Sequence, residues 1–330
     1  MWFFSFRMLT LGIFFGILGC KETRQIVIDE EDAIPRQASS SRTLDLGFEP
    51  LSSAGLLVAA ICQDSLLAAE LDSLNWNLVC VPLHKASEVE TGVQEGWLDA
   101  GVASTESVIH SCSLGTVRVL SIMDQSYSTL LTQTPIPMYQ IRGKRIGFIS
   151  GSPAAQFFRD YLKSVGLEES SVQMIPTTAR KLPRLLSQKA IDAMAVDEPF
   201  TSLFLFENQD WQFSMRKMGR HYLFAHRVLM ENPEPVLALL RSQIRQQLWL
   251  GEAGNRLHAD TWRWKSALEF GFSQPSPKAL KELANKTNNT GISTSSSLDF
   301  GPSFLPSSGD CPDTVSYHSA LDKFLLGNHL

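Results

Sequence analysis

The chain has 330 residues, 44% of them hydrophobic and 19% charged, with a formal net charge of −5. That is enough apolar chain for a large core, in one bilobed body or two medium domains. No Lys/Arg cluster occurs along it, so the basic face that nucleic-acid binding requires is excluded.

The first predicted element is a leader. Met1–Gly19 carries one charge, Arg7, followed by a weakly polar-to-apolar run from Met8 to Gly19. A membrane span needs about 20 apolar residues, so this shorter run fits a signal-peptide core, and no later run approaches a span. It ends in Ile17-Leu18-Gly19-Cys20, which resembles a bacterial lipobox, although Leu18 is bulkier than the small residue usual there. The resemblance implies cleavage before Cys20, lipidation of its thiol and a place in the cell envelope, anchored to a membrane. An ordinary signal peptide with a stray cysteine is the alternative. Residues 20–41 follow as a polar, Ser- and Pro-containing tether, with a flexible-coil reach of roughly 25 Å.

Strand and helix patterns then alternate. Strands are predicted at Thr43–Phe48, Asn77–Val81, Leu98–Ala103, Val117–Met123 and Thr129–Thr134, with helices at Ser53–Cys62, Ser87–Glu95 and Thr105–Ser111. A second set has strands at Arg145–Ile149, Val172–Ile175 and Ile191–Val196, with helices at Pro153–Val165, Ala179–Ser187 and Glu198–Glu207. After a strand-like Tyr222–Ala225, helices are expected at Pro235–Leu250, Leu257–Phe270 and Pro277–Lys286. Thr287–Asp313 reads as a loop or disordered segment, and His318–Leu326 as a short docking helix. Strands alternating with helices of about ten residues imply right-handed βαβ units, and two sets imply two lobes. The expected fold is α/β, with two parallel or mixed sheets flanked by helices. Residues 42–125 with 212–286 form the first lobe and 126–211 the second, joined by two crossings near Asp124–Ser128 and Trp211–Ser214. Residues 287–330 are a loop-rich tail. No internal repeat stands out. Besides Cys20, the cysteines are Cys62, Cys80, Cys112 and Cys311, without C-x-x-C spacing. A zinc site is therefore not expected, and buried free thiols are the plainer reading. No pairing follows from sequence alone.

Several segments carry a family pattern. They are Gly96-Trp97-Leu98-Asp99-Ala100-Gly101, Ile141-Arg142-Gly143-Lys144-Arg145-Ile146-Gly147, and Gly151-Ser152 followed by Phe157-Phe158, Tyr161-Leu162 and Val165-Gly166-Leu167. Lys189-Ala190-Ile191-Asp192-Ala193, Asp197-Glu198-Pro199 and Glu231-Asn232-Pro233-Glu234-Pro235-Val236 follow in order. Across about Leu44–Leu250 the chain resembles the periplasmic solute-binding proteins of the nitrate/sulfonate/taurine and thiamine-precursor group, which feed ABC importers. Lys189 stands where the family has a glycine, and the tail after Lys286 has no counterpart. The resemblance implies a bilobed periplasmic-binding-protein fold with a two-crossing hinge, a small organic ligand between the lobes, an ABC permease as partner and no enzymatic activity.

The residues themselves point to the same edge. In open α/β sheets ligands sit beyond the carboxyl ends of the strands, near helix N-termini. Ser150-Gly151-Ser152-Pro153 is such a turn, and Ala103-Ser104-Thr105-Glu106 repeats it; each reads either as a plain helix cap or as a ligand cradle. Glu49, Asp124, Asp197 and Glu198 all follow predicted strands on that edge. Capping explains Asp197 and Glu198 equally well, but several acids around one cleft suit a ligand with N–H donors. Phe48, Tyr127 and Phe200 lie beside these acids, either as stacking platforms or as core. The candidate ligand residues are Glu49, Ser104, Thr105, Asp124, Ser150, Gly151, Ser152, Asp197, Glu198 and Phe200, with no metal and no cofactor. No G-x-S-x-G, H-E-x-x-H, P-loop or G-x-G-x-x-G motif occurs. The expected protein is a monomeric solute-binding lipoprotein for a thiamine-precursor-like or amino-sulfonate-like solute. An enzyme on the same bilobed fold, as in menaquinone biosynthesis, and a sensor lipoprotein are the alternatives.

Overall fold

The computed structural model describes residues 41–286. The leader, Cys20 and its tether, the 287–330 tail and Cys311 lie outside the described residues. Strand β1 (Arg42–Phe48) alternates, with Leu44, Leu46 and Phe48 fully buried. Helix α1 (Gly55–Ile61) follows and is buried along its whole length. A Cβ on Gly55 would stand 2.1 Å from the Pro50 carbonyl oxygen, so α1 starts pressed against the turn that carries Glu49. Helix α2 (Ser65–Ser73), which the apolar pattern does not signal, buries only Leu67 and Leu71 and starts at an Asp64 cap. Strand β2 (Trp76–Pro82), α3 (Ala86–Glu95), β3 (Ala100–Ser104) and α4 (Thr105–Ser113) complete the first βαβ set.

The two strands expected at 117–123 and 129–134 are one, β4 (Val117–Thr132). The second set is β5 (Arg145–Ile149), α5 (Pro153–Ser164), β6 (Gln173–Thr177), α6 (Leu182–Ser187), β7 (Ala193–Val196) and α7 (Phe200–Glu207). The return strand β8 (Gln212–His226) is far longer than the Tyr222–Ala225 run that its hydrophobicity shows. Helices α8 (Pro233–Trp249), α9 (Ala253–Ala267) and α10 (Pro277–Lys286) close the described chain.

The eight strands form one sheet in the order β2-β1-β3-β8-β4-β7-β5-β6. Two separate sheets were expected. They are continuous because β4 and β8 pair antiparallel along their whole length, from Val117 opposite His226 to Thr132 opposite Gln212. Each half repeats one plan. Parallel β2-β1-β3 is bordered by antiparallel β8, and parallel β6-β5-β7 by antiparallel β4. The carboxyl ends of β1 and β3 thus face those of β5 and β7 across the crossing strands.

Packing follows the halves, except at the end of the chain. Helices α1, α2 and α8 share a core with β1 and β3, and α5 lies on β5, β7 and the far part of β4. The end of α9 and all of α10 instead bury Trp264, Ala267, Ala279, Leu280 and Leu283 with Leu182, Val196 and Phe200 of the second half. Cys62 and Cys80, expected as free thiols, form a disulfide between the end of α1 and β2, with Cα atoms 6.1 Å apart. Eighteen positions separate them in sequence, and only the parallel pairing of β1 with β2 brings them together. Cys112 is buried on α4. Among the described residues no helix is long and apolar enough to cross a membrane.

Candidate functional site

The floor of the site comes from the crossing strands. Residues opposite one another in an antiparallel pair share a face, and successive residues alternate. From Asp124 to Ser128 the register is unbroken: Asp124 faces His221, Ser126 faces Gly219 and Ser128 faces Lys217. Asp124, Ser126 and Ser128 therefore line one face, while Tyr127 points to the other, where the Arg216 guanidinium lies 4.1 Å from its ring centroid. A register shift between Ile122 and Asp124 interrupts the ladder just before this run. Asp124 Oδ2 is buried without a hydrogen-bond partner.

From the first half, the turn after β1 brings Glu49 and Ser53 to this floor. Ser53 Oγ lies 3.0 Å from His221 Nδ1. Burial, the field of Asp197 and the nearby Glu88 push the Glu49 carboxyl up to about 7, against a hydrogen bond from the Ala86 N–H. Ser104, the N-cap of α4, is buried but makes no capping bond. The Thr105 hydroxyl donates to the Arg220 carbonyl at 3.3 Å.

From the second half, Gly151 takes φ +78°, a left-handed turn that favours glycine. Ser152 then caps α5 by accepting from Ala155 N–H at 3.2 Å. Asp197 closes the end of this helix: its Oδ2 accepts from Ala154 N–H at 3.0 Å and its Oδ1 from Ser128 Oγ at 2.6 Å. The N-terminus of α5 is thus occupied by the chain's own carboxylate.

The predicted residues divide accordingly. Glu49 and Asp197 lie in each other's field, and Asp197 is bonded to the floor that carries Asp124 and to the turn that carries Ser150, Gly151 and Ser152. Glu198 diverges from its neighbour. It accepts from Ser202 N–H at 3.2 Å, and burial raises its carboxyl pKa against the fields of Arg216 and Arg263. Phe200 is 8% exposed, its ring among Phe204, Trp264 and Phe272. Phe48 is stacked on Trp262. The sequence reading missed Ser53, Ser126, Ser128, Gly219 and His221. Ser126 and Ser128 lie in a polar stretch between two strand patterns, and Gly219 and His221 in one just before the Tyr222–Ala225 run; both read as loops until the strands are paired, and Ser53 reads as a plain helix start. Among the described residues no His/Cys/Asp/Glu group has an arrangement that would hold a metal ion.

This doubled sheet with two crossing strands is the periplasmic-binding-protein fold. Residues 78–207, from β2 through α7, match the family model described as NMT1/THI5 like, so the family resemblance read from the sequence holds over that segment. No curated protein matches the chain. A solved structure of a putative sulfonate ABC transporter periplasmic sulfonate-binding protein, SsuA from Methylobacillus flagellatus KT, is similar at 16% identity and a TM-score of 0.55, over 75% of this chain and 77% of that one. The alkanesulfonate-binding protein SsuA from Xanthomonas axonopodis pv. citri, bound to MOPS, is similar at 16% identity and 0.54, over 75% and 85%. The Candida albicans CA3427 gene product, described as exhibiting the generic periplasmic binding protein fold, is similar at 14% identity and 0.52, over 75% and 80%.

The glycine that the family has at position 189 also finds its reason. Lys189 sits at φ +55°, in the left-handed region, and its carbonyl accepts from Arg145 Nη2 at 2.7 Å. The backbone shape is kept while the residue suited to it is not.

Proposed function

We propose that this chain is an extracytoplasmic solute-binding protein, anchored through a lipid on Cys20. It captures one small organic molecule between two lobes and delivers it to an ABC importer, without catalysing a reaction, and it acts as a monomer. The lobes are about 42–125 with the chain after 212, and 126–211, except that the end of α9 and all of α10 pack with the second lobe, and the crossing strands are their hinge. The Cys62–Cys80 disulfide supports an oxidising, extracytoplasmic location. Ligand contacts come from Glu49, Ser104-Thr105, Asp124, Ser150–Ser152 and Asp197, with Glu198 and Phe200 holding the last turn in place.

The observation that carries the ligand class is Asp197 on the N-terminus of α5. A helix N-terminus attracts anions through its free N–H groups. Here Asp197 takes Ala154 N–H and Ser152 takes Ala155 N–H. A sulfonate or nitrate brought to the same place would meet a carboxylate. The site therefore favours a solute that donates hydrogen bonds, such as an aminopyrimidine-like thiamine precursor or an amino-sulfonate read by its amine.

A hydrolase reading fares worse. Ser53, His221 and Asp124 are the residue types of a catalytic triad, but Ser53 meets His221 at Nδ1, the nitrogen that the acid orients in such a triad.

A thermal-shift screen of aminopyrimidines, amino-sulfonates, alkyl sulfonates and nitrate tests the assignment. Ligand at 100 times its dissociation constant stabilises the folded state by about 2.7 kcal/mol, a rise of roughly 5–10 °C for a body of this size. Amine-bearing solutes should give that rise, without turnover on prolonged incubation. A response confined to alkyl sulfonates or nitrate would reverse the ligand class.

A further inference from the structure

Two residues on the floor are locally poor choices for a strand. Glycine weakens a strand interior, and in such places it marks close approach by a ligand or another backbone. Gly219 has no left-handed φ to justify it, and a Cβ built on it meets no atom within 4 Å. It is neither conformationally required nor packed against a neighbour, so the space above it is open. Asp124 lies on the same face, opposite His221 and two positions along the ladder from Ser126 and Gly219. Its Oδ2 is buried and receives no hydrogen bond, a state that costs stability unless something outside the chain donates to it. Ser126, between Asp124 and Ser128 on that face, is itself buried.

Resting on the solute-binding reading, we infer that the open space over Gly219 is the subsite for the nitrogen end of the ligand. Its amine or amidine-like N–H group donates to Asp124 Oδ2. Gly219 supplies the volume and Ser126 a hydroxyl beside it. Gly219 and all of β8 lie beyond the segment that matches the family model, whereas Asp124 and Ser126 lie within it. A residue kept for binding at the expense of packing has a distinct signature: its replacement stabilises the empty protein and weakens the complex.

The test uses the full chain in detergent, with Asp124→Asn, Gly219→Ala and Gly219→Val, and two matched probe pairs. The pairs are 4-aminopyrimidine against pyrimidine, and taurine against ethanesulfonate. Without ligand, Asp124→Asn and Gly219→Ala should melt at or above the unsubstituted chain. The aminated member of at least one pair should bind and its amine-free analogue should not. Asp124→Asn should weaken that binding by about tenfold or more, the scale of a lost charge-assisted hydrogen bond, and Gly219→Val should abolish it. A lower melting temperature for empty Asp124→Asn would mean that the carboxylate is partnered within the fold, and the subsite falls. Equal binding of aminated and amine-free probes, or binding indifferent to Asp124→Asn, overturns the subsite while solute capture stands. Silence from all four probes counts against solute capture itself.

Discussion

Glu49 shows what burying one acid among others costs the fold. Its charged neighbours Asp197 and Glu88 are both acids, and burial adds to their effect, so its folded-state value is about 7 against an ordinary 4.5. A carboxyl raised in this way binds its proton more tightly folded than unfolded. Stability therefore falls as pH rises from about 4.5 to about 7 and levels off above. Glu49→Gln removes that slope and should stabilise the ligand-free chain at pH 8 by up to about 3 kcal/mol. Urea titrations at pH 5 and pH 8 measure it; an unchanged slope would show Glu49 ionised throughout. Lys189 gives a second residue-scale expectation. Relieving a left-handed non-glycine stabilises by about 1 kcal/mol, so Lys189→Gly should raise the urea midpoint, and a fall would mean that the side chain contributes more than the backbone loses. The acids were legible from their place after strands. The divergence of Asp197 from Glu198 was not, because Asp197 bonds to Ser128 of β4 while Glu198 turns back to the Ser202 N–H of its own helix.

Elements with an apolar rhythm were legible almost to the residue: Arg145–Ile149 and Pro277–Lys286 have the expected bounds. Those sustained by partners were not. Ser214–Arg220 of β8 has no buried residue and no apolar alternation, so ladder hydrogen bonds to β4 hold it extended where periodicity reports nothing. Helix α2 buries two residues and depends on its Asp64 cap and the contacts of its neighbours. At this scale the Cys62–Cys80 staple should contribute about 3 kcal/mol. A double Cys→Ser variant should melt roughly 6–12 °C lower, and an equal melting temperature with and without reductant would contradict the pairing. Leu283→Ala on α10, at a position 3% exposed, should cost about 2–4 kcal/mol in chemical denaturation. A loss below about 0.5 kcal/mol would mean that α10 does not share the core of the second half.

Over the whole molecule, β4 and β8 run through both halves, while α9 begins against the first core and ends in the second. The proposed closure would bend the two strands at their polar middle, around 124–128 and 217–221, with the end of α9 and all of α10 moving with the second half. Small-angle scattering should show a smaller radius of gyration at ligand saturation, and identical curves would refute a closing hinge. For the anchor, mass spectrometry of the N-terminus should find a lipidated Cys20 as the first residue. An uncleaved chain, or one starting downstream without lipid, would refute it.

The sequence by itself determined the α/β class, the alternation of two βαβ sets, the edge on which the acids lie and the family resemblance. All of these rest on local rhythm and short motifs, which survive in a linear string. Tertiary structure alone decided that the sheet is continuous and that its halves repeat one strand order. It also decided that Asp197 occupies the α5 N-terminus and that a glycine and an aspartate with one unpartnered oxygen meet on one floor. The place of Asp197 arises from β7 lying between β4 and β5, and the first and last of those facts from pairings between β4 and β8 some ninety residues apart. Register sets which side chain faces which there, and no periodicity within either strand records the register of the other.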